Sequence, residues 1–231
     1  MAMKQPVLEG ATVTLRPLAI SDATALAAAA AESREHYVYT RVPDGIAQAE
    51  HYITMALRER DDGRRMPFVT LWRDRVVGST SYLDLQQWRW PAGSPLQRRD
   101  SPDAVEIGAT WLSHSAQRTR CNTEAKLLML SHAFDVWEVH RVALKTDERN
   151  ARSRRAIERL GARTRRRAAR RHARAGRLGQ ELGVLLHRAG GVAGGPRQAR
   201  GCARARAMVK ALSFFERRTE FIVTTEHVIV G

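Results

Sequence analysis

Cysteine is scarce in this chain: two residues, Cys121 and Cys202, among 231. Two make no disulfide framework, and a reducing cytoplasm is the default compartment. No apolar run approaches the roughly eighteen residues needed to cross a bilayer, so neither a transmembrane helix nor a membrane partner is expected. The opening stretch, Met1 to Gly10, lacks the basic-then-apolar pattern of a secretory signal. The eight histidines are scattered without metal-ligand spacing, so no metal is expected. Disulfide scaffolds, membrane proteins and metalloenzymes are thereby set aside.

What is present is a globular composition, 43% hydrophobic, long enough for one well-cored domain or one domain plus a tail. The net charge of +15 resembles a nucleic-acid signal, but its distribution is uneven. Thirteen basic residues and a single acid, Glu181, lie between Thr164 and Lys210. Residues 1–163 carry only +4, so the excess charge belongs to one segment and must be explained there.

Along the chain, Val7 to Leu18 reads as a strand with a Glu9-Gly10 turn. Ser21 or Asp22 can cap an alanine-rich helix through Glu32. Ile46 to Arg60 is a second helix, with Ile46, Ala49, Ile53, Ala56 and Leu57 on one face. Pro67 to Trp72 and Arg75 to Leu85 are strands rich in β-favouring residues. A loop follows, Gln86 to Asp103, marked by Pro91, Gly93, Pro95 and Pro102. Then come a strand, Val105 to Leu112, a helix, Asn122 to Trp137, a strand, Arg141 to Lys145, and a helix, Arg152 to Leu160, closed by Gly161. The order β-α-α-β-β-β-α-β-α defines an α/β chain with a mixed sheet.

Two turns are chemically suggestive. Ser115 to Glu124 links an apolar strand to a long amphipathic helix, and Asp147 to Ser153 occupies the same place after the next strand. Such turns can set backbone N–H groups and a helix N-terminus against a phosphate. They point to an enzyme holding a phosphorylated cofactor at its strand ends.

This order and these turns resemble the GNAT superfamily of N-acetyltransferases, in particular its ribosomal-protein-acetyltransferase-like branch. The matching residues are Leu8-Glu9-Gly10, Leu15-Arg16-Pro17-Leu18, Val76-Val77-Gly78-Ser79-Thr80, and Glu106-Ile107-Gly108 with Thr110-Trp111-Leu112. Most specific are Gln117-Arg118-Thr119 with Asn122-Thr123-Glu124-Ala125-Lys126-Leu127-Leu128, and Asn150 with Ser153 and Leu160-Gly161-Ala162. Together they span Val7 to Arg163.

The resemblance implies a mostly antiparallel mixed sheet flanked by helices, whose fourth and fifth strands splay at a bulge to admit acetyl-CoA. It implies that the pantetheine arm pairs with strand backbone at Ala109, Thr110, Trp111 and Leu112. The diphosphate would lie on the loop of Gln117, Arg118, Thr119, Arg120, Cys121, Asn122 and Thr123, where unpaired amides and the helix dipole attract an anion. Asn150 would lie near the thiol end, and Ser153 would also bind the cofactor. The implied reaction is direct acetyl transfer to a primary amine, on a protein N-terminus or a small molecule. It needs proximity, a base and a polarised carbonyl, but no metal.

Glu106 is the candidate general base, acting through water; the plainer reading is a strand glutamate paired with a cation. Position 120 is usually small in the family, and Arg120 is expected to weaken cofactor binding without abolishing it. Cys121 reads as a packing residue. Tyr82, Trp88 and Trp90 are candidates for a cleft wall or a loop cover. His132 and His140 take core or surface roles, and Leu127 to Leu130 are core.

After Arg163 the resemblance stops, where the family would continue with two antiparallel strands. The domain reading is therefore 1–163, an acetyltransferase domain lacking its last two strands, and 164–231, a basic tail. Three explanations compete for the tail: nucleic-acid binding by Arg165 to Arg206, a disordered linker, or translation in the wrong frame. GC-rich codons for His172 to Ala193, read one base later, permit an Asp-Gly turn between alternating strands, a hairpin by ordinary rules. A frame change near Thr164 is the resulting hypothesis. An incomplete sheet would leave an open edge and a marginally stable product, and an inactive remnant is the further alternative.

Overall fold

The computed structural model describes residues 3–97, 100–147 and 149–160, and the strand paths of 181–187 and 222–224. Short strands β1 (Leu8–Glu9) and β2 (Val13–Pro17) are followed by helices α1 (Ala23–Ala31) and α2 (Gly45–Asp61). Strands β3 (Arg65–Trp72), β4 (Arg75–Gln86) and β5 (Ala104–Leu112) come next, then helix α3 (Cys121–Ser131). Strand β6 (Arg141–Asp147) and helix α4 (Ala151–Glu158) precede β7 (Glu181–His187) and β8 (Ile222–Thr224). The sequence-based elements are reproduced to within a residue or two at most ends. Two elements differ: Val7 to Leu18 is not one strand but the antiparallel pair β1 and β2, with Leu8 opposite Leu15, and past Ser131 the chain makes a π-helical turn, His132–Val136, so Asn122 to Trp137 is not one regular helix.

The strands lie in sequence order in one sheet, and every neighbouring pair is antiparallel except β5 and β6. This is the mixed, mostly antiparallel sheet expected. Each face carries its own core. On one side Leu15, Phe68, Tyr82, Ile107 and Val142 pack with Ala125 and Met129 of α3. On the other, Val69 and Trp111 pack with Leu26 and Ala30 of α1 and Ala49, Ile53 and Ala56 of α2. Alternation along β2, where Val13 and Leu15 are buried, and the i, i+4, i+7 spacing of α2 produce these two layers.

The structure departs from the expected missing strands at one edge. Residues 181–187 run antiparallel along all of β6, from Asp147↔Glu181 to Arg141↔His187, and 222–224 pair with β7. An uncovered β6 would present a row of unpaired amides and carbonyls, and a segment rich in Leu and Val is a natural partner for it. The rest of the tail, including Arg165 to Arg167 and Cys202, lies outside the described residues, as do Gly161 and Ala162. So do the nucleic-acid, linker and frame-change readings of that stretch.

Candidate active site

β5 and β6 are paired at only three positions, Ala104↔Arg141, Val105↔Val142 and Glu106↔Ala143. Beyond Glu106 and Ala143, β5 stays with β4 while β6 is joined to β7, and the two strands part. The edge of β5 from Ile107 to Leu112 thus faces an opening with no strand partner among the described residues.

A bulge lies at this divergence. Ser79 pairs with Trp111 and Ser81 with Gly108, so β5 carries one residue more than β4 between those points. Ala109 sits there with a left-handed φ of 47°, a conformation that a residue with a Cβ adopts rarely. The bulge also turns Thr110 toward the α3 side. Gly78 allows the close approach of β4 behind it: a Cβ there would fall 2.1 Å from the Trp111 carbonyl oxygen.

Past β5 the chain makes a short 3-10 turn, His114–Ala116, before α3 begins. The amides of Ala116 and Gln117 are used within that turn, and the Ser115 amide donates to Glu32 Oε2 at 2.7 Å. Thr119 Oγ1 donates to the Ala116 carbonyl and accepts from the Cys121 amide at 3.1 Å, closing the start of α3. Among the described residues, the amides of Arg118, Thr119, Arg120, Asn122 and Thr123 have no acceptor. They gather at the start of an eleven-residue helix, the setting in which an anion is favoured. Arg118 has a left-handed φ of 62°, and the Arg118 and Arg120 side chains are exposed.

The connection between α1 and α2 lies across this region. Glu32 holds Ser115 through both amide and hydroxyl. Tyr37 Oη donates to the Leu112 carbonyl at 3.1 Å, which also accepts from Gln117 Nε2 at 2.9 Å. His36 Nε2 lies 3.2 Å from Arg118 Nη2 and 3.5 Å from Arg152 Nη2. Arg149 stacks over the Tyr39 ring. These contacts reach β5, the turn before α3 and the start of α4. The Leu112 carbonyl thus accepts two hydrogen bonds from protein donors.

On the α1–α2 face of the sheet, Glu106 is half-buried and its Oε2 lies 2.9 Å from Lys145 Nζ of β6. Asn150 is the N-cap of α4, its Oδ1 accepting from the Ser153 amide at 3.0 Å. Trp111 is buried on the same face, edge-on to Tyr37, and its indole nitrogen has no partner among the described residues. Cys121 is buried, and burial with Glu124 nearby pushes its thiol up to about 12. It is a packing residue, as its neighbours in the sequence imply, and its amide is taken by Thr119 Oγ1.

Other assignments are revised. Tyr82 is no cleft wall: it is fully buried, donates to the Met129 carbonyl and packs on Phe68 and Trp137. Trp88 and Trp90 cluster instead with His140 on the Gln86–Asp103 loop, held by Asp103. The sequence reading missed His36, Tyr37, Lys126 and Lys145. Each is brought in by register or by a distant element, and no local pattern marks it. Among the described residues no metal-type cluster of His, Cys, Asp and Glu comes together, and no helix is long and apolar enough to cross a membrane.

This geometry agrees with the comparisons. No curated protein matches the chain. A GCN5-related N-acetyltransferase of Brucella melitensis is similar at 23% identity, with 71% of this chain and 71% of that chain covered and a TM-score of 0.57. Mycobacterium smegmatis RimJ in complex with CoA-disulfide is similar at 20% identity over 66% of this chain and 71% of that one, TM-score 0.54. The Microcin C7 self-immunity acetyltransferase MccE, in complex with acetyl-CoA and AMP, is similar at 14% identity over 67% and 81%, TM-score 0.55. These likenesses establish the fold. The family model described as an acetyltransferase (GNAT) domain matches residues 12–163. The chain belongs to that family and is an N-acetyltransferase by class.

Proposed function

We propose that the chain transfers the acetyl group of acetyl-CoA directly to a primary amine, on a protein N-terminus or a small molecule. The observation that carries this reading is the parting of β5 from β6 after Glu106, with the Ala109 bulge on its rim. The relatives RimJ and MccE were solved with CoA-disulfide and with acetyl-CoA and AMP, and the residues present here fit such a ligand. The amides of Arg118, Thr119, Arg120, Asn122 and Thr123 would hold the diphosphate, with Arg118 and Arg152 adding positive charge. The β5 edge from Ala109 to Leu112 would hold the pantetheine arm, with Asn150 and Ser153 at the start of α4 beside the opening. Acetyl-CoA would supply an activated thioester, at whose carbonyl carbon the amine replaces sulfur.

The chain's own part is binding, orientation and proton transfer. Glu106, on the face opposite α3, is the proposed base, taking the ammonium proton through water. Lys145 fixes the Glu106 carboxylate from the neighbouring strand. We propose a cytoplasmic setting, the default for a chain with two cysteines. Membership of the ribosomal-protein branch rests on the motifs from Gln117 to Leu128. For the tail we propose the frame change near Thr164, which agrees with a family match ending at residue 163. The gene's nucleotide sequence around codon 164 tests it: no alternative frame encoding a hairpin, no frame change.

Release of free thiol from acetyl-CoA in the presence of amines tests the function. Amine-dependent release by the wild-type chain is expected. No release with any N-terminal peptide or small amine, together with no binding of acetyl-CoA, would overturn the reading.

A further inference from the structure

Lys126 is the one buried lysine or arginine among the described residues, only 5% exposed. An ammonium withdrawn from water without a counter-charge is costly. Its Nζ donates to Thr80 Oγ1 of β4 at 3.0 Å and to Thr110 Oγ1 of β5 at 2.5 Å, and the two hydroxyls lie 2.8 Å apart. Thr110 Oγ1 in turn donates to the Gly108 carbonyl at 3.2 Å. The bond from Thr110 to Gly108 steps over Ala109, the left-handed residue of the bulge. A chain of hydrogen bonds therefore runs from the middle of α3, through Thr110, to the backbone just before the bulge.

Filling this space does not require an amine; a methionine of similar length would pack there without the desolvation cost. The amine buys directionality, two donors aimed at two strands. Burial alone lowers the Lys126 pKa from 10.5 to about 7. The groups around it do not offset this. Thr80 and Thr110 are uncharged, and Thr80 also meets the Met129 sulfur. On α3, Cys121 is a neutral buried thiol and the Glu124 carboxylate is committed to Thr12 and Val13. Tyr82 is a buried neutral phenol bonded to the Met129 carbonyl.

We propose that Lys126 is a positioning residue of the acyl-transfer site: through Thr110 it pins the bulge at Ala109, and with it the edge of β5 that faces the opening. The proposal rests on the reading of that opening as the acetyl-CoA site. Protonated, the amine makes charge-assisted bonds to both hydroxyls; deprotonated, it holds the bulge less tightly. Acetyl-CoA should accordingly bind more weakly as pH rises through neutrality.

The test compares the wild-type chain with Lys126→Met, Thr110→Val and Thr110→Ser. Without any ligand, amide hydrogen exchange at Ala109 to Leu112 should quicken on the order of tenfold in Lys126→Met and Thr110→Val. The KM for acetyl-CoA should rise on the order of tenfold in the same variants, with kcat much less affected. Thr110→Ser should restore both. The fall in wild-type affinity between pH 6 and 9 should flatten in Lys126→Met. Wild-type exchange and wild-type KM in Lys126→Met would overturn the proposal. Should that variant fail to fold, Thr110→Val, which keeps the shape and loses only the hydroxyl, decides in its place. If the wild-type chain neither binds nor cleaves acetyl-CoA, the functional reading fails, while the exchange measurement still decides whether Lys126 braces the bulge.

Discussion

The Glu124 carboxylate, in the first turn of α3, accepts from the backbone N–H of Thr12 at 2.8 Å and from its hydroxyl at 2.7 Å, across 112 residues of sequence. The same carboxylate accepts from the Val13 amide at 3.3 Å. It ties the start of the candidate anion-binding helix to the β1–β2 turn. Gly10 makes room for it, since a Cβ there would lie 2.4 Å from Glu124 Oε1. Two motifs that are distant in the sequence are thus one structural device.

Breaking that device should cost stability. Glu124→Gln is expected to lose about 1–2 kcal/mol, the scale of bonds to a charged acceptor in a partly exposed place. Gly10→Ala should cost a similar amount by displacing the carboxylate, and the double variant should cost less than the sum. Partial burial raises the Glu124 carboxyl pKa, but bonds from Thr12, Val13 and Ala11 outweigh it and leave the group below its ordinary value. The stabilisation is therefore present above the ordinary carboxylate pKa and lost as pH falls through the lowered one. Urea melts at pH 7 and pH 3 check this: the wild-type advantage over Glu124→Gln should be seen only at pH 7.

For the proposed base, Glu106→Gln should lower kcat by about 10²-fold or more while acetyl-CoA affinity stays near wild type. Lys145→Met, which leaves the Glu106 carboxylate without its partner at 2.9 Å, should lower kcat less. Steady-state rates with a fixed amine, paired with calorimetric titration of acetyl-CoA, measure both. A Glu106→Gln variant with full turnover would remove Glu106 from the mechanism.

Arg120 bears on the cofactor loop. A small residue is usual there in the family, and the arginine was expected to weaken binding without abolishing it. Its backbone takes an ordinary helical conformation, φ −74° and ψ −10°, and its side chain is exposed. Neither feature calls for glycine. We expect Arg120→Gly to bind acetyl-CoA within about threefold of wild type at moderate salt, where exposed charges are screened. A calorimetric gain well beyond that would show that the arginine obstructs the loop.

Cys121 should be chemically silent in the folded protein. Its burial and raised pKa leave almost no thiolate at neutral pH. In a Cys202→Ala background, a thiol reagent at pH 7.5 should label Cys121 only after denaturant is added. Rapid labelling of the native protein would contradict the buried position.

Much of this architecture is legible locally. Alternation at Val13 and Leu15, the apolar stripe of α2 and the alanine-rich α1 are short-range patterns, and they yielded the elements and their order. The turn from Gln117 to Thr123 could be recognised because a strand, a polar turn and a helix start are consecutive in the chain. Tyr82 shows the limit. Beside Trp88 and Trp90 in sequence it looked like part of one aromatic wall, yet alternation sends it to the opposite environment, under α3.

By itself the sequence determined the elements, their order and the loop on which an anion can rest, because each depends on neighbours within a turn or a strand. The tertiary structure decided the rest: that β5 leaves β6 after Glu106, that Glu106 meets Lys145, that Tyr37 caps the Leu112 carbonyl and that Lys126 is buried beneath the bulge. Those relations depend on strand register and on which helix covers which face. A single extra residue at Ala109 is enough to redirect the side chains that follow, and no periodicity in the chain announces where that residue will fall.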